Sequence, residues 1–195
     1  MTKIPTADPN LLEASPMDLM ALFKALRAPS MEEMNGEFNA AMLTQKNLAV
    51  DLGWRLVVYN PAWPGIWVGK AFRPLSATEG RGYNYFRQGS EIIQRFPMKT
   101  VIAPSRYDRK PAFQLIYRAY HSFCGMVNMV DEVRRISAGR YLLIGTAGFT
   151  RKQRQFDSFF LLDGPVRPYR GDLGKPRKNL CLEREIPELH NAVRP

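Results

Sequence analysis

The chain has 195 residues, 45% of them hydrophobic, and carries a net charge of +10 at neutral pH. That is enough for one domain with a substantial core, and too apolar for a disordered chain. It excludes a transmembrane helix, because no apolar run approaches the ~20 residues of a span.

The N-terminus, with Asp8 and Pro9, is polar and has no signal-peptide core. The two cysteines, Cys124 and Cys181, fall in a strand turn and a tail and are read as reduced. A cytoplasmic location is the default expectation.

Residues 1–14 read as a flexible tail. Ser15-Pro-Met-Asp18 is a helix start, with Ser as N-cap, Pro at the first helical position and Asp in the first turn. Leu19, Leu22, Phe23 and Leu26 continue it at helical spacing until Pro29. Ser30-Met-Glu-Glu33 is a capping box for a second short helix ending near Asn35-Gly36. This lead-in, residues 15–36, is expected to cover a sheet, with Met31 and Met34 facing the core.

From Glu37 the pattern changes. Phe38–Leu43 and Leu52–Tyr59 look extended, the second because Trp54, Leu56 and Val58 alternate with Arg55, Val57 and Tyr59. Asn60–Gly65 holds two prolines and must be a loop. Ile66–Phe72, Tyr83–Phe86, Ile92–Phe96 and Lys99–Pro104 follow as short extended pieces.

The clearest stretch is Phe113–Leu162. It reads as four strands, Phe113–Ser122, Met126–Ile136, Tyr141–Phe149 and Phe156–Leu162, turned at Cys124-Gly125 and Ser137-Ala-Gly139. Connections this short leave no room for crossover helices, so neighbours are antiparallel. Both faces carry apolar residues: Phe156, Phe160 and Leu162 on one, Phe159 and Leu161 on the other. One face therefore lines an interior, and the other is covered by a helix or a partner subunit. The expected fold is mainly β, an antiparallel meander closed into a small barrel within a single domain, residues 15–165. Residues 166–195 read as a basic, Pro/Gly-rich tail, with a turn of helix at Ile186–Asn191.

The charge is uneven. Lys70 to Arg118 holds ten Lys and Arg against Glu79, Glu91 and Asp108, a balance of +7. Such a field favours an anion, and reads equally as a solvated basic surface. No helix-turn-helix, zinc-finger or RNA-recognition signature accompanies it, so no specific nucleic-acid partner is expected.

Several segments resemble a known family. Leu22-Phe23-Lys-Ala-Leu26 and Met31-Glu-Glu-Met34-Asn-Gly36-Glu-Phe38 are similar to the opening of the two-part family named for its Gly-X-Trp-X-Gly motif. Gly65-Ile-Trp67-Val-Gly69-Lys70-Ala-Phe72 resembles that family's second landmark. Tyr117–Tyr120, Met129–Arg135, Tyr141–Gly145 and Phe159–Leu162 follow the order of its C-terminal strands. If the naming motif is at Gly36–Ala40, Phe38 replaces Trp and Ala40 the final Gly; if at Gly65–Gly69, it comes late. The resemblance implies a lipocalin-like, calycin-like barrel and little about activity.

A barrel with an apolar interior is expected to bind a small hydrophobic ligand. The cationic run would make that ligand an anion, a carboxylate or phosphate, gripped by Arg73, Arg81, Arg87, Arg106 or Arg118. The ligand-contact candidates are Trp54, Trp67, Phe72, Tyr83, Tyr85, Tyr117, His121, Arg118 and Arg135. The alternative is a metal-free enzyme of isomerase, cyclase or decarboxylase type, with His121, Asp131, Tyr117 and Tyr120 as acid–base candidates. The histidines have no metal-ligand spacing, and no cofactor is expected. Asp131, Glu132, Arg134 and Arg135 read equally as pocket charges and as a surface ladder. An outer face too apolar to be wet points to a homodimer.

Overall fold

A computed structural model describes residues 9–45, 47–148 and 157–189. Eight strands form one closed antiparallel barrel in sequence order. They are β1 (Gly36–Met42), β2 (Ile66–Pro74), β3 (Glu79–Gln88), β4 (Glu91–Pro104), β5 (Pro111–Ile116), β6 (Val130–Ser137), β7 (Arg140–Thr146) and β8 (Ser158–Arg167). β1 pairs with β2 and also with β8, which closes the ring. Gly69 permits the first of these pairings, because a Cβ there would sit 1.9 Å from the Phe38 carbonyl oxygen. The helices are short: α1 (Pro9–Glu13), α2 (Pro16–Ala25), α3 (Leu48–Val58), α4 (Phe123–Met126) and α5 (Leu182–Glu185).

The expected barrel is present, with differences of detail. Pro9–Glu13 is helical rather than loose, while residues 1–8 lie outside the described residues. Ser15 caps α2 as read, its hydroxyl accepting from the Asp18 N–H at 3.2 Å. The Ser30/Glu33 capping box makes both its hydrogen bonds, at 2.8 and 3.2 Å, around a turn and not a second helix. Leu52–Tyr59, read as a strand, is helical to Val58 at the end of α3, with Tyr59 as the C-cap. Asn47 caps it through Val50 N–H at 2.9 Å, Asp51 pairs with Arg55 at 2.5 Å, and Trp54 and Val58 lie one turn apart on its inner side. The run satisfied both periodicities, and tertiary packing chose the helical one. Ile92–Phe96 and Lys99–Pro104 are one long strand, β4, turned at Phe96, whose φ is 53°.

The strand expected to reach Ser122 ends at Ile116. Tyr117–Ala119 is a one-turn 3-10 helix, and Cys124-Gly125 lies in α4. Phe149, Phe156 and the basic connection between them lie outside the described residues.

Alternation sorts the side chains. Phe38, Phe72, Phe113, Val133, Tyr141, Phe160 and Leu162 point inward, and Met31 and Met34 pack with them. The outer apolar face is covered by the chain itself. Leu19 and Phe23 of α2 lie on Leu142, Ile144, Phe159 and Leu161. The segment after β8, expected as a basic, extended tail, packs too. Tyr169 and Leu173 lie on Tyr83 and Tyr85, and Ile186 with Leu182 and Leu189 lies on Val101, Ile116 and Val130. This cover occupies the outer face on which the homodimer was argued.

Arg134, fully buried beneath α2, ties this cover to the barrel. Its guanidinium donates to both Asp108 oxygens at 2.7 and 2.6 Å, to the Phe23 carbonyl at 2.9 Å and to the Lys110 carbonyl at 3.2 Å. Burial would raise the Asp108 carboxyl, but these bonds and the Lys110 N–H hold it below its usual value. A depressed carboxyl gives stability above its unfolded pKa, lost as pH falls through the folded one. Replacing Arg134 by Met should lower unfolding free energy by about 3–5 kcal/mol at pH 7 in urea titrations. The difference from the parent protein should shrink on acidification as Asp108 protonates.

Candidate functional site

The barrel is packed at one end and open at the other. At the packed end the Met31–Met34 turn sits against Phe38, Phe72, Phe113 and Tyr141. At the other end α3, between β1 and β2, and α4, between β5 and β6, stand beside a cavity of about 460 Å³. α3 supplies Trp54, Val57 and Val58. α4 and the residues after it supply Phe123, Cys124, Val127 and Met129. The barrel strands add Trp67, Phe86, Phe96, Leu143 and Phe160. All three tryptophans of the chain, Trp54, Trp63 and Trp67, line it. Trp54 and Trp67 each meet the Phe160 ring edge-on at 5.3 Å, and the Trp54 indole N–H donates to Ser158 Oγ.

One polar cluster breaks this apolar wall. Lys70 on β2 and Asp131 on β6 face each other at 2.9 Å, both fully buried. The Lys70 ammonium also donates to Asn84 Oδ1 at 2.9 Å and to Tyr117 Oη. The Trp67 indole N–H donates to the same Asn84 oxygen at 3.1 Å, and Asn84 Nδ2 donates to Tyr117 Oη at 3.0 Å. The Tyr117 hydroxyl donates to Asp131 Oδ2 at 3.2 Å. The ammonium lies over the Trp67 and Tyr117 rings, 5.2 and 5.1 Å from their centres. Burial, and then the Asp131 carboxylate, push the Tyr117 hydroxyl well above its ordinary pKa, so it stays a donor. Burial also raises the Asp131 carboxyl, against the pull of the Lys70 ammonium.

Of the residues singled out from sequence, the structure brings together Trp54, Trp67, Tyr117 and Asp131. It separates the rest. His121 is exposed and does not face the interior, because the strand that would have aimed it inward stops at Ile116. Tyr120 faces outward under the C-terminal segment, with Arg81 over its ring at 5.4 Å and a bridge to Pro176. Tyr83 and Tyr85 are also on the outer face, donating to Glu37 and Asn39 at 3.0 Å each. Phe72 is inside but belongs to the packed end, 5.3 Å from Phe113. Arg135 pairs with Glu33 at 2.6 Å.

None of the five arginines expected at a cationic mouth lines the cavity. Arg73 and Arg81 hold Asp172 on the outer face, Arg106 meets Glu132, Arg118 meets Glu185 and Arg87 is exposed. His190 lies outside the described residues.

Lys70 and Asn84 were not among the sequence candidates. Strict alternation from Trp67 would aim Lys70 outward, but a bulge between Trp67 and Gly69 reverses the parity. The available signal was a single lysine inside the apolar run Ile66–Phe72, with an acid, Asp131, inside another strand.

The fold and cavity define a closed eight-stranded barrel with a partly open interior. No family model matches the chain, and no match was found among curated proteins. It is similar to a crystal structure of a protein from Thermomonospora curvata, at 14% identity and a TM-score of 0.52, over 77% of this chain and 88% of that one. At that identity the likeness bears on the fold alone. Among the described residues no helix is long and apolar enough to cross a membrane.

The cavity wall also contains a thiol. Burial pushes Cys124 up to about 12, with Lys70 pulling the other way. Below that pH its thiolate is scarce. Exposed Cys181 should therefore be alkylated by iodoacetamide at pH 8 in the native state while Cys124 is spared, and both should react in urea; peptide mass mapping reads the difference.

Proposed function

We propose that this protein binds a small hydrophobic molecule inside the barrel, between α3, α4 and the Lys70–Asp131 cluster. The observation that carries the reading is the cavity of about 460 Å³, walled by Trp54, Trp67, Phe86, Phe96, Leu143 and Phe160. That volume is in the range of small-ligand sites, whose walls are mostly apolar with a few fixed polar groups. We also propose kinship with the Gly-X-Trp-X-Gly family. In support, Gly65-Ile-Trp67-Val-Gly69-Lys70 opens β2, and Trp67 and Lys70 from this stretch line the cavity.

An anionic head group, expected from the basic run, finds little support at this site. Among the described residues the cation lining the cavity is Lys70, and it already faces a carboxylate, an amide oxygen and a phenol. The ligand is read as neutral.

Since all three tryptophans line the cavity, intrinsic fluorescence reports occupancy. Titration with 1-decanol or 2-naphthol should give a saturable change, abolished or weakened at least tenfold by Leu143→Phe, which adds bulk to the wall. An unsaturable response, or one unaltered by that substitution, would overturn the reading.

The metal-free enzyme is kept as a second reading, because Asp131 and Tyr117 converge beside the cavity even though His121 and Tyr120 do not. If Asp131 acts as a base, 2-decalone incubated with the protein in deuterium oxide should take up deuterium beside its carbonyl. Asp131→Asn should abolish the exchange; exchange at the buffer rate counts against this reading.

A further inference from the structure

The hydrogen bonds of the buried cluster define what it still lacks. The three protons of the Lys70 ammonium face Asn84 Oδ1, Tyr117 Oη and Asp131 Oδ2. The Trp67 N–H is engaged by Asn84 Oδ1, and the Tyr117 O–H by Asp131 Oδ2. Tyr117 Oη receives both Lys70 and Asn84, which fills its lone pairs. The Asn84 orientation is fixed by this pattern, because exchanging its oxygen and nitrogen would set donors against the ammonium and the indole. One atom of the cluster is left: Asp131 Oδ1, fully buried, has no hydrogen-bond partner among the described residues.

This atom belongs to a residue that lines the cavity, and the residue packed against it carries no side chain. Asp131 stands opposite Gly145 in the β6–β7 register. A Cβ at Gly145 would lie 3.1 Å from Oδ1 and 3.5 Å from the Phe160 ring. The other inward residues of β7, Tyr141 and Leu143, are large. The one residue without a side chain is thus the one facing the open carboxylate oxygen. A buried acceptor without a donor is costly, so whatever fills the cavity gains by supplying one.

We infer that the ligand carries a neutral hydrogen-bond donor, a hydroxyl or N–H, that seats on Asp131 Oδ1 beside Gly145, its apolar body lying among Trp54, Trp67, Leu143 and Phe160. This rests on the cavity being a ligand site. An ether or ketone would set lone pairs against lone pairs at Oδ1. A carboxylate would set like charge against Asp131, with no Lys70 proton to meet it. The site therefore ranks alcohols and phenols above their ethers, and both above the corresponding acids.

Two matched series test this by calorimetry at pH 7.5: 1-decanol, 1-methoxydecane and decanoate, and 2-naphthol, 2-methoxynaphthalene and 2-naphthoate. A hydrogen bond to a charged acceptor corresponds to about a ten- to hundredfold preference for alcohol over ether. Gly145→Ala should bring that ratio towards one, with the fold checked by circular dichroism. The ratio in the unsubstituted protein decides the matter if that variant does not fold. Alcohol and ether binding equally would overturn the donor assignment while leaving the cavity as a ligand site, with water on Oδ1. The acid binding tightest would overturn it in favour of a cationic floor. No binding in either series would overturn the ligand reading and this inference with it.

Discussion

β1 pairs with β2 along one edge and with β8 along the other, and that double pairing closes the sheet. Closure leaves no edge strand to template another chain, and it gives the sheet an inside and an outside. In this chain both are apolar. Outside, burial comes from segments beyond the barrel: α2 over β7 and β8, Tyr169 and Leu173 over β2 and β3, and Ile186 with its neighbours over β4 to β6. Buried Glu37 fixes the C-terminal segment by receiving Tyr83 and Arg170 at 3.0 and 2.6 Å and pairing with Arg167 at 3.2 Å. Inside, the packed end is filled by aromatic rings and methionines, and the open end is held apart by α3 and α4.

The Lys70–Asp131 pair sits where those two halves meet. Taking both charges out of water costs several kcal/mol, and only good geometry with further hydrogen bonds offsets that. Here the offset comes from four places around the ring: Trp67 on β2, Asn84 on β3, Tyr117 just after β5 and the partners themselves on β2 and β6. The network therefore spans the interior and ties strands that are not neighbours in the sheet. Among the described residues it leaves one carboxylate oxygen of a cavity-lining residue without a donor, which gives an otherwise apolar space a defined polar point. Arg134 and Asp108 play the corresponding part on the outer face, holding α2 and the β4–β5 connection to β6.

Sequence pattern served best where the strand was regular. In β8, Phe160 and Leu162 face in and Phe159 and Leu161 face out, as alternation requires. In β5, Phe113 and Leu115 face in, and Tyr117 keeps that direction just past the strand's end. It served least where one residue more or less changed the parity. The bulge after Trp67 turned Lys70 inward, and β3 set Asn84 and Phe86, rather than the bulkier Tyr83 and Tyr85, towards the cavity. Aromatic side chains drew attention to the wrong face, because a covered outer face needs large apolar groups as much as an interior does.

The amino-acid sequence by itself determined the antiparallel meander, the capped start of α2 and the paired apolar faces. Those features rest on local spacing, which a linear chain carries in full. The helical form of α3, the outward turn at His121, the cover supplied by the C-terminal segment and the meeting of Lys70 with Asp131 were decided by tertiary structure. Each depends on contacts between distant residues: Trp54 against Phe160, Tyr120 beside Pro176, Tyr169 on Tyr83, and β2 across the barrel from β6. The 60 residues between Lys70 and Asp131 carry no local signal of that contact; burial in one closed interior brings the two charges together.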